Sequence, residues 1–364
     1  TLNVNGTVNA FYVNSNAKTT DGAGVTTSNK QANVQNGLLP GWIHFAATTQ
    51  QDGYDIKAHF GFAPGINSSS SIVGLPDGAG NAYSQTDNRN VYFQFGNASM
   101  GTLKFGRDIG LFMQNPILND MTLLGVGGTT RAAEPFNTSF GMIGHGYMYT
   151  GFQPQITYSM PAAGGFNASF GLFNPSQYAG NQRKSPGIQG LASYEWKGGV
   201  NGKVWGSFVN QKTESDNPAC VGNQQCGFKA SGYEGGVKLG MGAFEVLVAG
   251  FSGKGIGIST VGAQFLGGLN ANGDPMKSDG MFVQGTVMAA EKLKLGVNYG
   301  KNTDKDLAAV GTESFNEAVS LGAYYNLTKS VTLVGEVVNE EAGVDGAVAK
   351  TKTSTVSLGA ILFF

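Results

Sequence analysis

Charge is scarce in this chain. Asp, Glu, Lys and Arg make up 13% of its 364 residues, while 41% are hydrophobic. Soluble domains carry roughly twice that share of charge. A chain with ordinary apolar content and so little charge hides much of its outer surface from water, and lipid is the cover that fits. Long apolar runs are lacking too. No stretch approaches the roughly 20 apolar residues of a spanning helix, and the nearest, Met241 to Phe251, is interrupted by Glu245. A closed barrel is then the remaining way across a bilayer, because every backbone N–H and C=O pairs inside the protein. Proline is sparse, at 11 residues against 57 glycines, so the glycine excess is neither collagen-like nor linker-like. The chain opens in a strand-like pattern with no basic-then-apolar leader, as expected of a mature start from which a signal peptide has been removed. The net charge of −1 gives no reason to expect a nucleic-acid partner.

Cysteine is nearly absent. Cys220 and Cys226 sit in one polar segment, Asn217 to Gly227. They are expected to close a small loop disulfide in an oxidising compartment, with free thiols as the alternative. A zinc site is disfavoured, because no histidine lies nearby and the gap between the thiols is unusual for one.

What is present is alternation with a period of two. In the opening strand Leu2, Val4, Val8, Ala10 and Tyr12 share one face, against Asn3, Asn5, Thr7 and Asn9. In the last, Val356, Leu358, Ala360, Leu362 and Phe364 alternate with polar or small residues. The polar set cannot face lipid, so it faces an interior. A soluble sandwich would turn the polar set to bulk water, but no helices or second apolar layer stand ready to cover so large a sheet. Strands are predicted near 1–14, 37–50, 53–64, 88–98, 101–107, 148–160, 164–174, 186–197, 200–212, 231–241, 243–255, 279–290, 292–303, 313–328, 330–342 and 351–364. That is about sixteen, an even count in the range where barrels leave an aqueous channel.

The connections alternate in length. Short turns fall at Gln51-Asp52-Gly53, Ala98 to Gly101, Ala162 to Gly164, Gly198-Gly199, Met241-Gly242 and near Thr328 to Ser330. Longer Gly/Ser/Asn-rich segments fall near 15–36, 65–87, 108–147, 175–185, 213–230, 256–278, 304–312 and 343–350. Short turns at one end and long loops at the other are the habit of an all-β outer-membrane barrel. The whole chain, 1–364, reads as one closed antiparallel transmembrane β-barrel domain. Tyr12, Trp42, Tyr92, Tyr149, Tyr158, Tyr194, Trp196, Tyr299, Tyr324, Tyr325, Phe363 and Phe364 lie toward strand ends and are expected to form interfacial girdles, beyond ordinary β propensity.

Two local features carry a family resemblance. The chain ends in Ile361-Leu362-Phe363-Phe364, and Gly101-Thr-Leu-Lys-Phe-Gly-Arg-Asp108 leads into the longest connection, 108–147, third of the long loops. In these points, and in pattern along its length, the sequence resembles the bacterial porins, sixteen-stranded trimeric barrels of the Gram-negative outer membrane. The resemblance implies a terminal Phe acting as a barrel-assembly signal. It also implies a third loop folded into the lumen as a constriction, a homotrimer, and outer-membrane lipid and lipopolysaccharide as surroundings. It departs from the family where some members carry Gly-Arg-Gln and this chain has Gly106-Arg107-Asp108. The enterobacterial Pro-Glu-Phe-Gly-Gly motif is also absent, with Glu134-Pro135-Phe136 in its place in scrambled order. The detailed charge layout is therefore not inherited.

A pore's selectivity is set by the charges at its narrowest point. Candidate acidic residues on the third loop are Asp108, Asp120 and Glu134, with Arg131 as the basic one and His145 near the loop's end. Strand parity aims Lys57, His59, His44 and Lys104 inward, along with Lys203, Lys238, Lys294, Glu234, Glu245 and Glu336. Strict parity would turn Arg89 and Arg107 outward, which costs roughly 2–4 kcal/mol at the bilayer midplane. Either both lie at the rim, or a local irregularity, for which Gly106 is a candidate, turns Arg107 inward. The expected arrangement is a transverse field, with acidic loop residues facing basic wall residues. Solvated loop charges without effect on transport are the alternative. No catalytic residue and no cofactor is expected. Structural Ca²⁺ is a minor possibility at Asp304-Lys-Asp306 or Thr213 to Asp216, neither of which has the twelve-residue spacing.

The function expected is a passive, water-filled channel for ions and small hydrophilic solutes. A substrate-selective uptake channel for small organic acids is the alternative. An outer-membrane hydrolase would need a serine held by a histidine, and none of His44, His59 and His145 lies in a Gly-x-Ser-x-Gly context. A purely adhesive barrel would need a plug or an extra domain, for which the chain has no room.

Overall fold

The computed structural model describes residues 1–66, 84, 86–128, 138–175, 181–216, 226–256, 274–305 and 313–364. Among them, seventeen strand segments form one antiparallel sheet that closes on itself. They are β1 (Leu2–Thr20), β2 (Thr26–Gln35), β3 (Trp42–Gln51), β4 (Tyr54–Pro64), β5 (Thr86–Asn97), β6 (Gly101–Ile109), β7 (Phe152–Ser159), β8 (Phe166–Phe173) and β9 (Gly187–Trp196). After them come β10 (Asn201–Glu214), β11 (Gly227–Met241), β12 (Phe244–Lys254), β13 (Lys277–Ala290), β14 (Leu293–Lys305), β15 (Glu313–Asn326), β16 (Val331–Val344) and β17 (Lys350–Phe363).

From β3 to β17 each strand pairs with the next in sequence. The sheet closes where β17 returns to β1, with Thr7 opposite Phe363 and Thr20 opposite Lys350. On its other side β1 meets two segments, β2 along Phe11 to Thr20 and β3 along Leu2 to Thr7. These are the halves of one barrel position, interrupted by residues 36–41, so seventeen segments fill sixteen positions. No helix among the described residues is long and apolar enough to cross a membrane, and the strands do the crossing.

Alternation fixes which face is which. Val8, Phe93, Val248 and Leu321 are exposed and belong to the outward, lipid-facing set, while Asn9, Asn90, Gln284 and Ser320 on the same or adjoining strands are buried on the inside. A slip of one residue would exchange the two sets, so the apolar pattern pins the register. At the periplasmic end the turns are tight. Asp52 and Gly53 take φ of 49° and 80°, two successive positive values that suit a two-residue hairpin and that Asp-Gly tolerates well.

Two parts of the sequence reading are corrected here. Segment 15–36, expected as a loop, is mostly strand. β1 runs on to Thr20 and β2 returns from Thr26, with Ser28 Oγ donating to Asn16 Oδ1 at 2.7 Å. The hairpin is polar on both faces because it stands beyond the lipid, so alternation gives no signal there. The predicted strand 37–50 begins at Trp42 instead, and residues 36–41 turn into the barrel. Asn9 Nδ2 donates to the Leu39 carbonyl at 2.8 Å, and Gly37 N donates to Asn9 Oδ1 at 2.9 Å.

The interior is not uniformly wet. Trp205, Val209, Leu247, Ala249, Phe251 and Phe282 point inward from β10 to β13 and are buried against Phe112, Met113, Ile117, Met142, Ile143, Tyr147 and Met148 of the third loop. The proposed girdle also loses members. Tyr324 is buried inside, with its hydroxyl on Glu336, Tyr92 stacks on inward His59, and Trp42 stacks on inward His44. Tyr12, Tyr158, Tyr194, Tyr325, Phe363 and Phe364 keep exposed rings. A tyrosine near a strand end reaches either face equally well, so position along the strand does not decide which.

Candidate functional site

The third loop crosses the lumen and is fastened to one side of it. It contains the short helix α1 (Gln114–Asn119) and a single turn of 3-10 helix, Met121–Leu124. So short a helix has little stability of its own, and wall side chains supply its partners. Leu111 N donates to Gln189 Oε1 at 2.9 Å, Met121 N to Gln284 Oε1 at 2.7 Å, and Gly146 N to Asn302 Oδ1 at 2.7 Å. Val126 N and Gly127 N both donate to Glu336 Oε2 at 2.8 Å, and Tyr324 Oη donates to Glu336 Oε1 at 2.7 Å. His145 Nε2 lies 3.5 Å from Glu340 Oε1. Gly300 on β14 lacks a side chain at the point of closest approach, where a Cβ would collide with the His145 carbonyl oxygen. A glycine inside a strand marks such close backbone approach.

Asp120 is the loop's own fastening. Its carboxylate accepts from Tyr147 Oη at 2.6 Å, Thr122 Oγ1 at 2.7 Å, Thr122 N at 2.9 Å, Met142 N at 3.2 Å and Asn298 Nδ2 at 3.3 Å. Burial pushes its carboxyl above the usual carboxylate range, and those hydrogen bonds work against the rise. The same burial, together with the Asp120 charge, raises the Tyr147 hydroxyl well above its ordinary value.

With the loop held against β9 to β16, the opening lies between it and the wall of β3 to β7. A cavity of ≈ 620 Å³ occupies this gap. Arg89, Arg107, Trp42 and Phe152 line it from the wall, Leu38, Leu39 and Pro40 from the turned-in segment, and Ile117, Leu118, Leu123 and Phe140 from the third loop. Both arginines therefore face the lumen against strict parity. Opposite β5, the register slips between Gly61, which faces Asn90, and Phe62, which faces Asn88. Arg89 is the extra residue of that bulge, which re-aims its side chain. Its guanidinium carbon sits 5.7 Å from the ring centres of both Trp42 and Phe152, within cation–π range, and its Nη2 is 3.3 Å from Asp87 Oδ2. Arg107 follows Gly106, whose φ of 131° is open to glycine alone among ordinary residues. Its Nη1 donates to the Phe152 carbonyl at 2.6 Å.

Toward the periplasmic end the same wall continues as a cationic and aromatic track. His44 Nδ1 and His59 Nε2 are 2.9 Å apart. The His59 ring stacks on Tyr92 with centroids 5.0 Å apart, and Lys57 and Lys104 lie 5.7 Å and 4.8 Å from the Tyr92 ring centre. Lys104 is ion-paired with Asp108, which also accepts from Asn90 Nδ2 at 2.7 Å.

The structure thus brings Lys57, His59, Lys104, Arg107 and Asp108 together on one wall and adds Arg89, His44 and Tyr92. It does not place Asp120 among them. That carboxylate was expected to face the opening and is enclosed instead, at 3% exposure. Asp108 likewise belongs to the wall, paired to Lys104, and does not oppose it from the loop. Arg131 and Glu134 lie outside the described residues. The expected field from acidic loop to basic wall therefore has no acidic loop partner among the described residues, and the cations Lys57, Arg89, Lys104 and Arg107 share β4 to β6 with Asp55, Asp87 and Asp108. Glu336, read only as inward, is an anchor of the loop. The clue was its place on a strand whose inward neighbours Val334 and Val338 are apolar and buried, which requires something to cover them.

Of the cysteines, Cys226 is disulfide-bonded and Cys220 lies outside the described residues. In the first Ca²⁺ candidate, Asp304 is buried and Asp306 lies outside the described residues. In the second, Glu214 and Asp216 are both ion-paired with Lys184, and Glu214 also with Lys212.

The sequence profile described as Gram-negative porin matches residues 1–343 of the chain. No curated protein matches it. Among solved structures, the anion-selective porin from Comamonas acidovorans is similar over 100% of this chain and 99% of its own, at 15% identity and a TM-score of 0.63. The outer membrane channel DcaP of Acinetobacter baumannii aligns over 100% and 97% at 15% identity, with a TM-score of 0.67. OmpF of Salmonella typhi aligns over 100% and 97% at 16% identity, with a TM-score of 0.61. Identities this low speak to the shared fold alone.

Proposed function

The chain belongs to the Gram-negative porin family and forms an outer-membrane channel for passive diffusion, and from that premise we propose that the channel favours small anions over cations. The observation behind this is the wall of β3 to β7, which brings Arg89, Arg107, Lys57 and Lys104 to one side of the opening, with Asp87 ion-paired to Arg89 and Asp108 to Lys104. A charged ring at a constriction acts on every passing ion. The similar porin from Comamonas acidovorans is itself described as anion-selective. In planar bilayers with a KCl gradient, the reversal potential should carry the sign of chloride preference. A potential of cation sign overturns the proposal.

A channel, and not an enzyme, is the reading that family and fold support. The closest partner of His44 Nδ1 is His59 Nε2, which does not suit the histidine-held serine of a hydrolase. We also propose a homotrimer seated in outer-membrane lipid and lipopolysaccharide. Its support is a similar protein solved in a trimer form, OmpT of Vibrio cholerae, at a TM-score of 0.58 and 13% identity. A monomeric mass by light scattering in mild detergent would contradict it. The bonded state of Cys226, in a chain with two cysteines, supports a Cys220–Cys226 bridge. Alkylation of the denatured, unreduced chain should then label neither thiol, and label both after reduction. Labelling before reduction would refute the bridge.

A further inference from the structure

The gap between loop and wall has an unusual lining for a watery passage. Leu118, on α1, is 53% exposed, yet it lies inside the barrel and lines the same cavity as Arg89 and Arg107. Lipid cannot be what it meets there. With Leu123 it makes an apolar floor opposite two guanidinium groups. The guanidinium groups are held in place. Arg89 lies against the Trp42 and Phe152 rings with its Nη2 3.3 Å from Asp87 Oδ2, a carboxylate that lines the same cavity, and Arg107 is tied to the Phe152 carbonyl oxygen. A guanidinium fixed by aromatic faces has little rotamer freedom left to lose on meeting an anion, and its donors suit a planar or tetrahedral oxyanion. The volume of ≈ 620 Å³ falls within the usual range of small-molecule sites, which pair an apolar lining with a few placed polar groups.

We propose that this cavity is a binding site for small amphipathic anions, solutes with one anionic head and a short apolar body. The head sits between Arg89 and Arg107, and the body lies on Leu118 and Leu123. The inference rests on the anion-preferring channel proposed above and adds to it a requirement for an apolar body. Inorganic anions use only the arginine half of the site. Amphipathic cations meet the same floor but face two guanidinium groups against the one carboxylate of Asp87. A solute held here occupies the opening, so it interrupts the current while bound.

The test uses the purified protein in planar bilayers with KCl, adding hexanesulfonate, methanesulfonate or hexyltrimethylammonium to the long-loop side. Hexanesulfonate should produce resolved interruptions at concentrations at least tenfold below those of methanesulfonate, and hexyltrimethylammonium should produce none. Leu118→Asn should narrow the gap between the two sulfonates, and Arg107→Ala should weaken both. Heat-modified mobility on electrophoresis checks that each variant is folded. Equal action of the two sulfonates, or an unchanged gap in Leu118→Asn, overturns the proposal. A steady KCl current without additive reads the channel separately. If no current appeared, the channel reading would be lost, and tryptophan emission would still decide the site. Hexanesulfonate should change the emission of the wild type, where Arg89 lies against Trp42, and not that of Trp42→Phe, and an equal change in both, or none in either, would overturn the proposal.

Discussion

Replacing Glu336 with alanine is expected to turn a quiet open channel into a flickering one that closes at lower voltage. Glu336 accepts the Val126 and Gly127 amides through one oxygen and the Tyr324 hydroxyl through the other, all in a buried setting. The substitution leaves two buried backbone donors without that acceptor, and each such orphan costs about 1–3 kcal/mol. A combined loss of about 3 kcal/mol lowers the ratio of held to released loop roughly a hundredfold. The sheet itself keeps its strand pairing, so the barrel still inserts. The loop samples detached positions within the lumen, and the current reports them as excess noise and early closure. Glu336→Gln keeps one acceptor oxygen and should fall between wild type and Glu336→Ala. Open-channel noise and closing voltage equal to wild type in Glu336→Ala would show that the loop is held without Glu336.

The second large effect is on charge preference. Arg107 makes no ion pair among the described residues, whereas Arg89 shares its charge with Asp87. One unit charge about 5 Å from a passing ion contributes about 1 kcal/mol even with water-like screening. Removing it raises the anion's energy and lowers the cation's, so the permeability ratio moves several-fold toward cations, as 1.4 kcal/mol is a factor of ten. Arg107→Ala should therefore shift the reversal potential strongly. Arg89→Ala should shift it in the same direction, because the substitution removes a cation and leaves the Asp87 carboxylate without it. The shifts should shrink in about 1 M salt, where the screening length falls to about 3 Å from about 10 Å at 0.1 M. A reversal potential unmoved by Arg107→Ala at low salt would remove this residue from the ion path.

The barrel was legible in the sequence because lipid on one side and water on the other impose a two-residue rhythm. Strands β4 through β17 lie within a few residues of their predicted places. The rhythm fails where that contrast vanishes. Beyond the lipid, in the β1–β2 hairpin, both faces are polar and the segment reads as loop. Under the third loop both faces are apolar, as in Val246 to Phe251, where Leu247, Ala249 and Phe251 face the loop's core. Such a run announces an inner cover without naming it. Residues 37–41 were misplaced for a related reason, since Leu38 is as apolar as a strand residue but is buried against the loop.

The site was legible by class and not by partner. Parity aimed Lys57, His59 and Lys104 inward, and in the structure they gather around Tyr92 on one wall, while the glycine before Arg107 offered a reason for it to turn inward. Asp120 was misread because an acidic residue on a loop looks the same whether it faces water or its own chain. Its partners lie at Thr122, Met142, Tyr147 and Asn298, and only the folded loop brings the last of these near. Arg89 depended on a bulge whose cause is the register of β4 against β5, and no local pattern in β5 reports it.

That ions pass between α1 and the arginine-bearing wall is tested most directly by Leu118→Cys in a planar bilayer. The purified variant should give discrete current steps, and a bulky water-soluble methanethiosulfonate reagent should lower the size of each step once it reacts with the new thiol. A folded barrel that passes no current, or steps that keep their full size after quantitative labelling at residue 118, would contradict it.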